Sequence, residues 1–99
     1  MSSRLAVVIP VYQAEQTLDA LTTELVAAIA PLADDYEVLL VDDGSTDGSW
    51  NAIVRLAAAN PRLRGLRLIR NFGEHVAITA GLDCADADHV VIMQDGRIA

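Results

Sequence analysis

The stretch Glu37-Val38-Leu39-Leu40-Val41-Asp42-Asp43-Gly44-Ser45-Thr46-Asp47 constrains this chain more than any other. Its apolar run, Val38 to Val41, is too short for an ordinary helix and reads as a buried strand. Two adjacent carboxylates, a glycine and a cluster of capping residues then end the strand abruptly. Gly44 relaxes the turn, because glycine tolerates positive φ. Ser45, Thr46 or Asp47 is suited to cap the helix that follows. In an open α/β sheet, ligands bind beyond the carboxyl ends of the strands. A carboxylate pair there can accept hydrogen bonds from a base or a ribose, or hold a cation. The same residues also make an ordinary strand-to-helix turn, so the rest of the chain has to separate the two readings.

Taken in order, Leu5 to Ile9 is a continuous apolar run bounded by Pro10, the pattern of a strand buried on both faces. Leu18, Leu21, Leu25, Ile29 and Leu32 recur at helical spacing and predict a helix over about 14–32 with one buried stripe. After the acidic strand, Trp50, Ile53, Val54 and Ala57 predict a second helix, stopped by Asn60-Pro61. Arg64 to Arg70 reads as a third strand, and its alternation of Arg with apolar residues predicts an edge position. Val76 to Cys84 carries Ala77, Ala80, Gly81 and Cys84, a small-residue helix face with Cys84 as a buried filler. His89 to Met93 reads as a fourth strand. The order β-α-β-α-β-α-β predicts an α/β fold, three layers deep, around a mostly parallel sheet with right-handed crossovers. Four polar strand ends then converge at one sheet edge: Tyr12-Gln13, Asp42-Asp43, Arg70-Asn71 and Gln94-Asp95.

Composition narrows the function. The chain of 99 residues is 53% hydrophobic, which favours a packed core. Its net charge is -7, which argues against nucleic acid or anionic lipid as a bulk partner. A local contact between one Arg and one phosphate stays open. The single cysteine cannot form an internal disulfide, so a reducing, cytoplasmic setting is expected. The N-terminal apolar run is too short for a signal peptide, and no stretch is long enough to cross a bilayer. A phosphoacceptor receiver domain would need a Lys beside its acidic pocket, and the basic residues here are all Arg. A dinucleotide-binding domain would need Gly-x-Gly-x-x-Gly after the first strand, where Pro10-Val11-Tyr12-Gln13 stands instead.

Three motifs then carry a resemblance. Val7-Val8-Ile9-Pro10-Val11-Tyr12 resembles the opening of inverting family 2 glycosyltransferases of the GT-A fold. Val41-Asp42-Asp43-Gly44-Ser45-Thr46-Asp47 resembles the second motif of that family. Arg70-Asn71-Phe72-Gly73-Glu74-His75, with Ala80-Gly81-Leu82, resembles the branch that moves sugars onto polyprenyl phosphates, the dolichol-phosphate mannosyltransferase-like enzymes. The resemblance implies that residues 1–99 form the N-terminal, nucleotide-sugar-binding half of such an enzyme. It implies a UDP- or GDP-sugar donor, with Pro10, Val11 and Tyr12 lining the nucleoside pocket. Asp42 and Asp43 would lie beside base and ribose, and Arg70 would contact the base or a phosphate. The resemblance also implies Mg²⁺ or Mn²⁺, held by an Asp-x-Asp motif after the fourth strand. Here that stretch is Met93-Gln94-Asp95-Gly96-Arg97, which leaves Asp95 as the one candidate ligand. The acceptor half, with its general base, has no counterpart, so the chain is expected not to transfer sugar by itself. A binding or assembly module that kept the fold and lost the chemistry is the alternative. An exposed apolar face and an unpaired strand edge further predict a homo-oligomer.

Overall fold

The acidic strand lies next to the centre of a five-stranded sheet. A computed structural model describes residues 4–94 together with 97 and 98. The elements run β1 (Arg4–Val11), α1 (Leu18–Ile29), β2 (Asp35–Asp42), α2 (Ser49–Ala59), β3 (Leu63–Arg67), α3 (Glu74–Cys84), β4 (His89–Gln94) and β5 (Arg97–Ile98). The strand order is β3-β2-β1-β4-β5. β1 pairs in parallel with β2 and with β4, and β2 pairs in parallel with β3. The short β5 is antiparallel to β4, an element that periodicity did not indicate. β3 stands at the edge, as its Arg alternation predicts.

Strand alternation divides the core into two layers. Val7, Ile9, Val11, Val38 and Leu40 face α1 and α2 and pack with Leu18, Leu25 and Ile53. Val8, Leu39 and Val41 face the other way and pack with Ala77 of α3. Small residues bring α3 close to the sheet. A Cβ on Gly81 would sit 2.4 Å from Val8 Cγ1 and 3.1 Å from Val41 Cγ2.

Three packing expectations are corrected. Cys84 is exposed, not a buried filler; it is the last residue of α3, and Ala85 packs against the small cluster instead. Leu32 is 80% exposed, because α1 ends at Ile29 and the stripe ends with it. Val54 is exposed, and Ala52 takes the buried position on α2 beside Ile53.

The amino end of the sheet is held by a buried charge. Glu37 is 2% exposed. Its Oε2 accepts from Arg4 Nη2 at 3.1 Å and from Arg64 Nη1 at 2.9 Å. Its Oε1 accepts the Asp86 N–H at 3.1 Å. Burial pushes this carboxyl up, but the Asp86 N–H and the Arg64 and Arg4 guanidiniums outweigh burial and hold it below its ordinary value. One carboxylate thereby joins β1, β3 and the α3–β4 turn at the end remote from the polar strand ends.

Candidate functional site

At the carboxyl end of the sheet, three loops meet around Asp43. Alternation along β2 sends the two neighbouring carboxylates in different directions. Val38 and Leu40 face α1 and α2, whereas Leu39 and Val41 face α3. Asp42 ends β2, and Asp43 follows it.

Asp43 is 3% exposed. Its Oδ1 accepts the Phe72 N–H at 2.9 Å, and its Oδ2 accepts the Gly73 N–H and the Asn71 Nδ2–H, both at 3.1 Å. The Asn71 amide also donates to the Asp43 carbonyl at 3.1 Å. The Asp43 N–H donates to the Val11 carbonyl at 2.8 Å, which continues the β1–β2 ladder by one residue. Asp43 therefore fixes the loop that enters α3.

Asp42 is fully buried. Its Oδ1 accepts the Ser45 N–H at 3.4 Å, and its Oδ2 lies 3.9 Å from Arg67 Nε with no hydrogen-bond partner. Gly44 turns the chain at φ 70° and passes directly against the backbone of Arg70 and Asn71. Beyond it, the Ser49 N–H donates to Asp47 Oδ1 at 2.9 Å, so Asp47 closes the turn into α2, whose N-cap residue is Gly48.

Tyr12, which is 52% exposed, borders three open clefts; one of about 380 Å³ runs along α1 past Ala14, Thr17 and Leu21, and the other two reach Asp43 and Arg70. The first of these two, about 330 Å³, is lined by Pro10, Val11, Tyr12 and Asp43, with Asn71 and Glu74 opposite. The second, about 660 Å³, is lined by Tyr12, Gly44, Thr46, Arg67, Arg70 and Asn71. Arg70 also lies over the Phe72 ring, 4.8 Å from its centroid. Of the residues singled out from sequence, Pro10, Val11, Tyr12 and Asp43 share the first cleft, and Arg70 shares the second with Tyr12. Asp42 lines neither and lies beneath them. Asp95 lies outside the described residues.

Asn71 is named from sequence only as part of a polar strand end, without a role, and Gly73 and Glu74 only within the loop motif that contains them. The available signal was Asn71, a short side-chain amide beside the polar end of a strand.

The first cleft combines an aromatic edge, a carboxylate and a helix start, and the second adds two guanidiniums. Such a pair accommodates a planar polar ring next to an anionic group. The comparisons with known proteins point the same way. The model of glycosyl transferase family 2 matches residues 6–96. The chain belongs to that family.

Among curated relatives of this family 2 chain is the undecaprenyl-phosphate 4-deoxy-4-formamido-L-arabinose transferase of Aeromonas hydrophila. It is 46% identical over 89 residues, which are 89% of this chain and 27% of the relative. The solved mannosyltransferase PcManGT of Pyrobaculum calidifontis, in complex with GDP-Man and Mn²⁺, superposes with a TM-score of 0.83 at 27% identity. The match covers 95% of this chain and 28% of that one. Residues 1–349 of S. aureus TarS in complex with UDP-GlcNAc superpose with a TM-score of 0.78 at 26% identity, covering 92% of this chain and 26% of that one. The chain thus spans about a quarter of the length of these relatives.

The Mn²⁺ of the Pyrobaculum structure raises the question of a metal here. The described residues do not fit one. No group of three His, Cys, Asp or Glu side chains among them is placed to hold an ion. Both Asp43 oxygens already accept N–H donors, and Asp42 is shut beneath the turn.

Proposed function

We propose that this chain supplies the donor-nucleotide cleft of a glycosyltransferase that takes a UDP- or GDP-sugar. The observation that carries the reading is the position of Tyr12 between two clefts, one walled by Pro10, Val11 and Asp43 and the other by Arg67 and Arg70. A base packs against the Tyr12 ring, and Asp43 Oδ1, which accepts one N–H, keeps a lone pair for a base N–H or a ribose hydroxyl. The diphosphate lies toward the guanidiniums, which donate charge-assisted hydrogen bonds. Asp42 acts from below, through Ser45 and Arg67. The bound GDP-Man and UDP-GlcNAc of the two solved relatives support this class of donor. The name of the Aeromonas relative supports a polyprenyl phosphate as acceptor for the whole protein. Use of Mg²⁺ or Mn²⁺, with Asp95 as a ligand, and a place on the cytoplasmic side belong to the same proposal. No helix among the described residues is long and apolar enough to cross a membrane.

NMR titration of the chain with UDP and GDP tests the donor reading. Shifts are expected at Tyr12, Asp43, Asn71 and Arg70, at ligand concentrations up to the millimolar range. No perturbation of these residues by either nucleotide would sink the reading.

The assembly-module alternative has one observation in its favour. Phe72, Val76 and Leu82, on or beside α3, are 42%, 45% and 41% exposed, and Ile69 is 92% exposed. Apolar exposure of this kind favours association. We expect light scattering at tens of micromolar to return at least a dimer mass; a monomer mass there counts against self-association.

A further inference from the structure

Gln13 is the one non-glycine residue at positive φ among the described residues, at 52°. The left-handed region disfavours a residue with a Cβ, so the surroundings must hold it there. They do so through the side chain. Gln13 Oε1 accepts the Thr46 N–H at 2.7 Å, the Asp47 N–H at 3.3 Å and the Thr46 hydroxyl at 3.3 Å. The Gln13 N–H donates to Ser45 Oγ at 2.9 Å. The next residue repeats the pattern, with the Ala14 N–H donating to Ser49 Oγ at 2.8 Å. On the other side of Tyr12, the Val11 carbonyl accepts the Asp43 N–H. Tyr12 is therefore the single residue between two anchors, and both anchors lead to the β2–α2 turn.

We propose that Gln13 is a positioning residue: its side-chain amide clamps the β1–α1 loop onto the β2–α2 turn and so holds the Tyr12 ring between the two clefts. The inference rests on the donor-cleft reading for its effect on ligand, but not for its effect on Tyr12. The clamp has a chemical side as well. It occupies the Thr46 and Asp47 N–H groups, two backbone donors of the turn ahead of the Gly48 N-cap, and Thr46 lies on the wall of the second cleft. A diphosphate in the second cleft is thereby left to Arg67 and Arg70.

The test combines Gln13→Ala, Gln13→Gly and Gln13→Glu with a Tyr12→Ala background. Gln13→Gly removes the clamp while relieving the positive φ, and it serves where Gln13→Ala fails to fold. In the ligand-free chain, loss of the side chain is expected to shift the Tyr12 ring resonances and to speed amide exchange at Thr46 and Asp47. Gln13→Glu keeps an acceptor oxygen and is expected to restore that protection. Affinity for GDP or UDP is expected to fall roughly tenfold on losing the clamp, and by less than about twofold where Tyr12 is already Ala. Equal losses in both backgrounds would mean that Gln13 acts on stability alone and would overturn the proposal. Unchanged Tyr12 ring signals in Gln13→Gly would overturn it too. Where the unsubstituted chain binds neither nucleotide, the donor reading fails, and the ring signals still decide the role of Gln13.

Discussion

Gly44→Ala is expected to destabilise this domain by roughly 3–5 kcal/mol. Two effects add at this position. The residue sits at φ 70°, and a Cβ there would lie 2.2 Å from the Arg70 carbonyl carbon and 2.2 Å from the Asn71 nitrogen. The overlapping atoms are backbone, so no rotamer change relieves them, and the Asp43 bonds hold that loop in place. For a domain of this size the loss corresponds to a drop in Tm of roughly 15–25 °C. Gly73 supplies the control. It also has positive φ, at 107°, but a Cβ there meets nothing within 4 Å. Gly73→Ala should therefore carry the backbone strain alone, about 1–3 kcal/mol, because φ 107°, ψ 155° is a conformation essentially reserved for glycine. Thermal melts followed by circular dichroism separate the two. A Gly44→Ala melt no lower than that of Gly73→Ala would show that the close approach is not real.

Removing the buried carboxylate at the other end of the sheet should have the second large effect. Glu37→Ala leaves the Asp86 N–H without its acceptor and Arg64 without the anion it shares with Arg4, while Arg4 keeps its pair with Asp35 at 2.7 Å. Loss of one partner of a fully buried pair costs about 3–5 kcal/mol. Here both arginines reach solvent, with side-chain exposures of 36% and 48%, and can rehydrate. The expected cost is therefore smaller, roughly 2–3 kcal/mol. The same contacts set a pH dependence. The folded-state pKa of Glu37 lies below its ordinary 4.5. Its contribution is accordingly complete above that value and is lost as pH falls through the lower, folded-state value. Urea midpoints between pH 6 and pH 3 should fall for the unsubstituted chain, and the fall should be shallower for Glu37→Ala. Parallel curves, or a neutral-pH loss under about 1 kcal/mol, would assign the acid sensitivity to other carboxylates.

These two positions also show how far the sequence reaches. Gly44 was legible as a turn glycine, because an acidic strand end followed by Gly-Ser-Thr-Asp has few other readings. That its missing Cβ makes room for the Arg70–Asn71 backbone was not legible, since the approach is set by tertiary structure. The strands β1 and β2 were readable from their unbroken apolar runs, and the edge position of β3 from its arginines. Helix ends were less so. Leu32 kept the right spacing although α1 had stopped at Ile29, and Cys84 kept it as the last residue of α3, yet both are exposed. Within the site, adjacency misled in a different way. Asp42 and Asp43 look equivalent as letters, yet one is sealed beneath the turn and the other lines a cleft and secures the loop into α3. Gln13 was legible as a polar residue at a strand end, but its clamp was not, because a left-handed glutamine is a property of the loops it joins.

The strand order has a consequence for synthesis. Of the described strands β1 is translated before the others, yet it takes an interior place, with Leu5 beside Tyr36 on one edge and beside His89 on the other. Its first edge is covered once α1 and β2 have emerged. The second stays open until nearly the whole stretch to Ile92 has been translated, because Val8 pairs with that residue. An apolar strand with free N–H and C=O groups is a template for pairing with other chains. Closing it requires a contact between the two extremes of the described chain, the slowest kind to find. The Asp88 N–H to the Arg4 carbonyl, and the Arg4 N–H to Asp88 Oδ2, each 2.9 Å, lie where that closure begins. A nascent chain paused short of residue 88 therefore holds its own central strand exposed, and translation speed through this segment sets how long that exposure lasts.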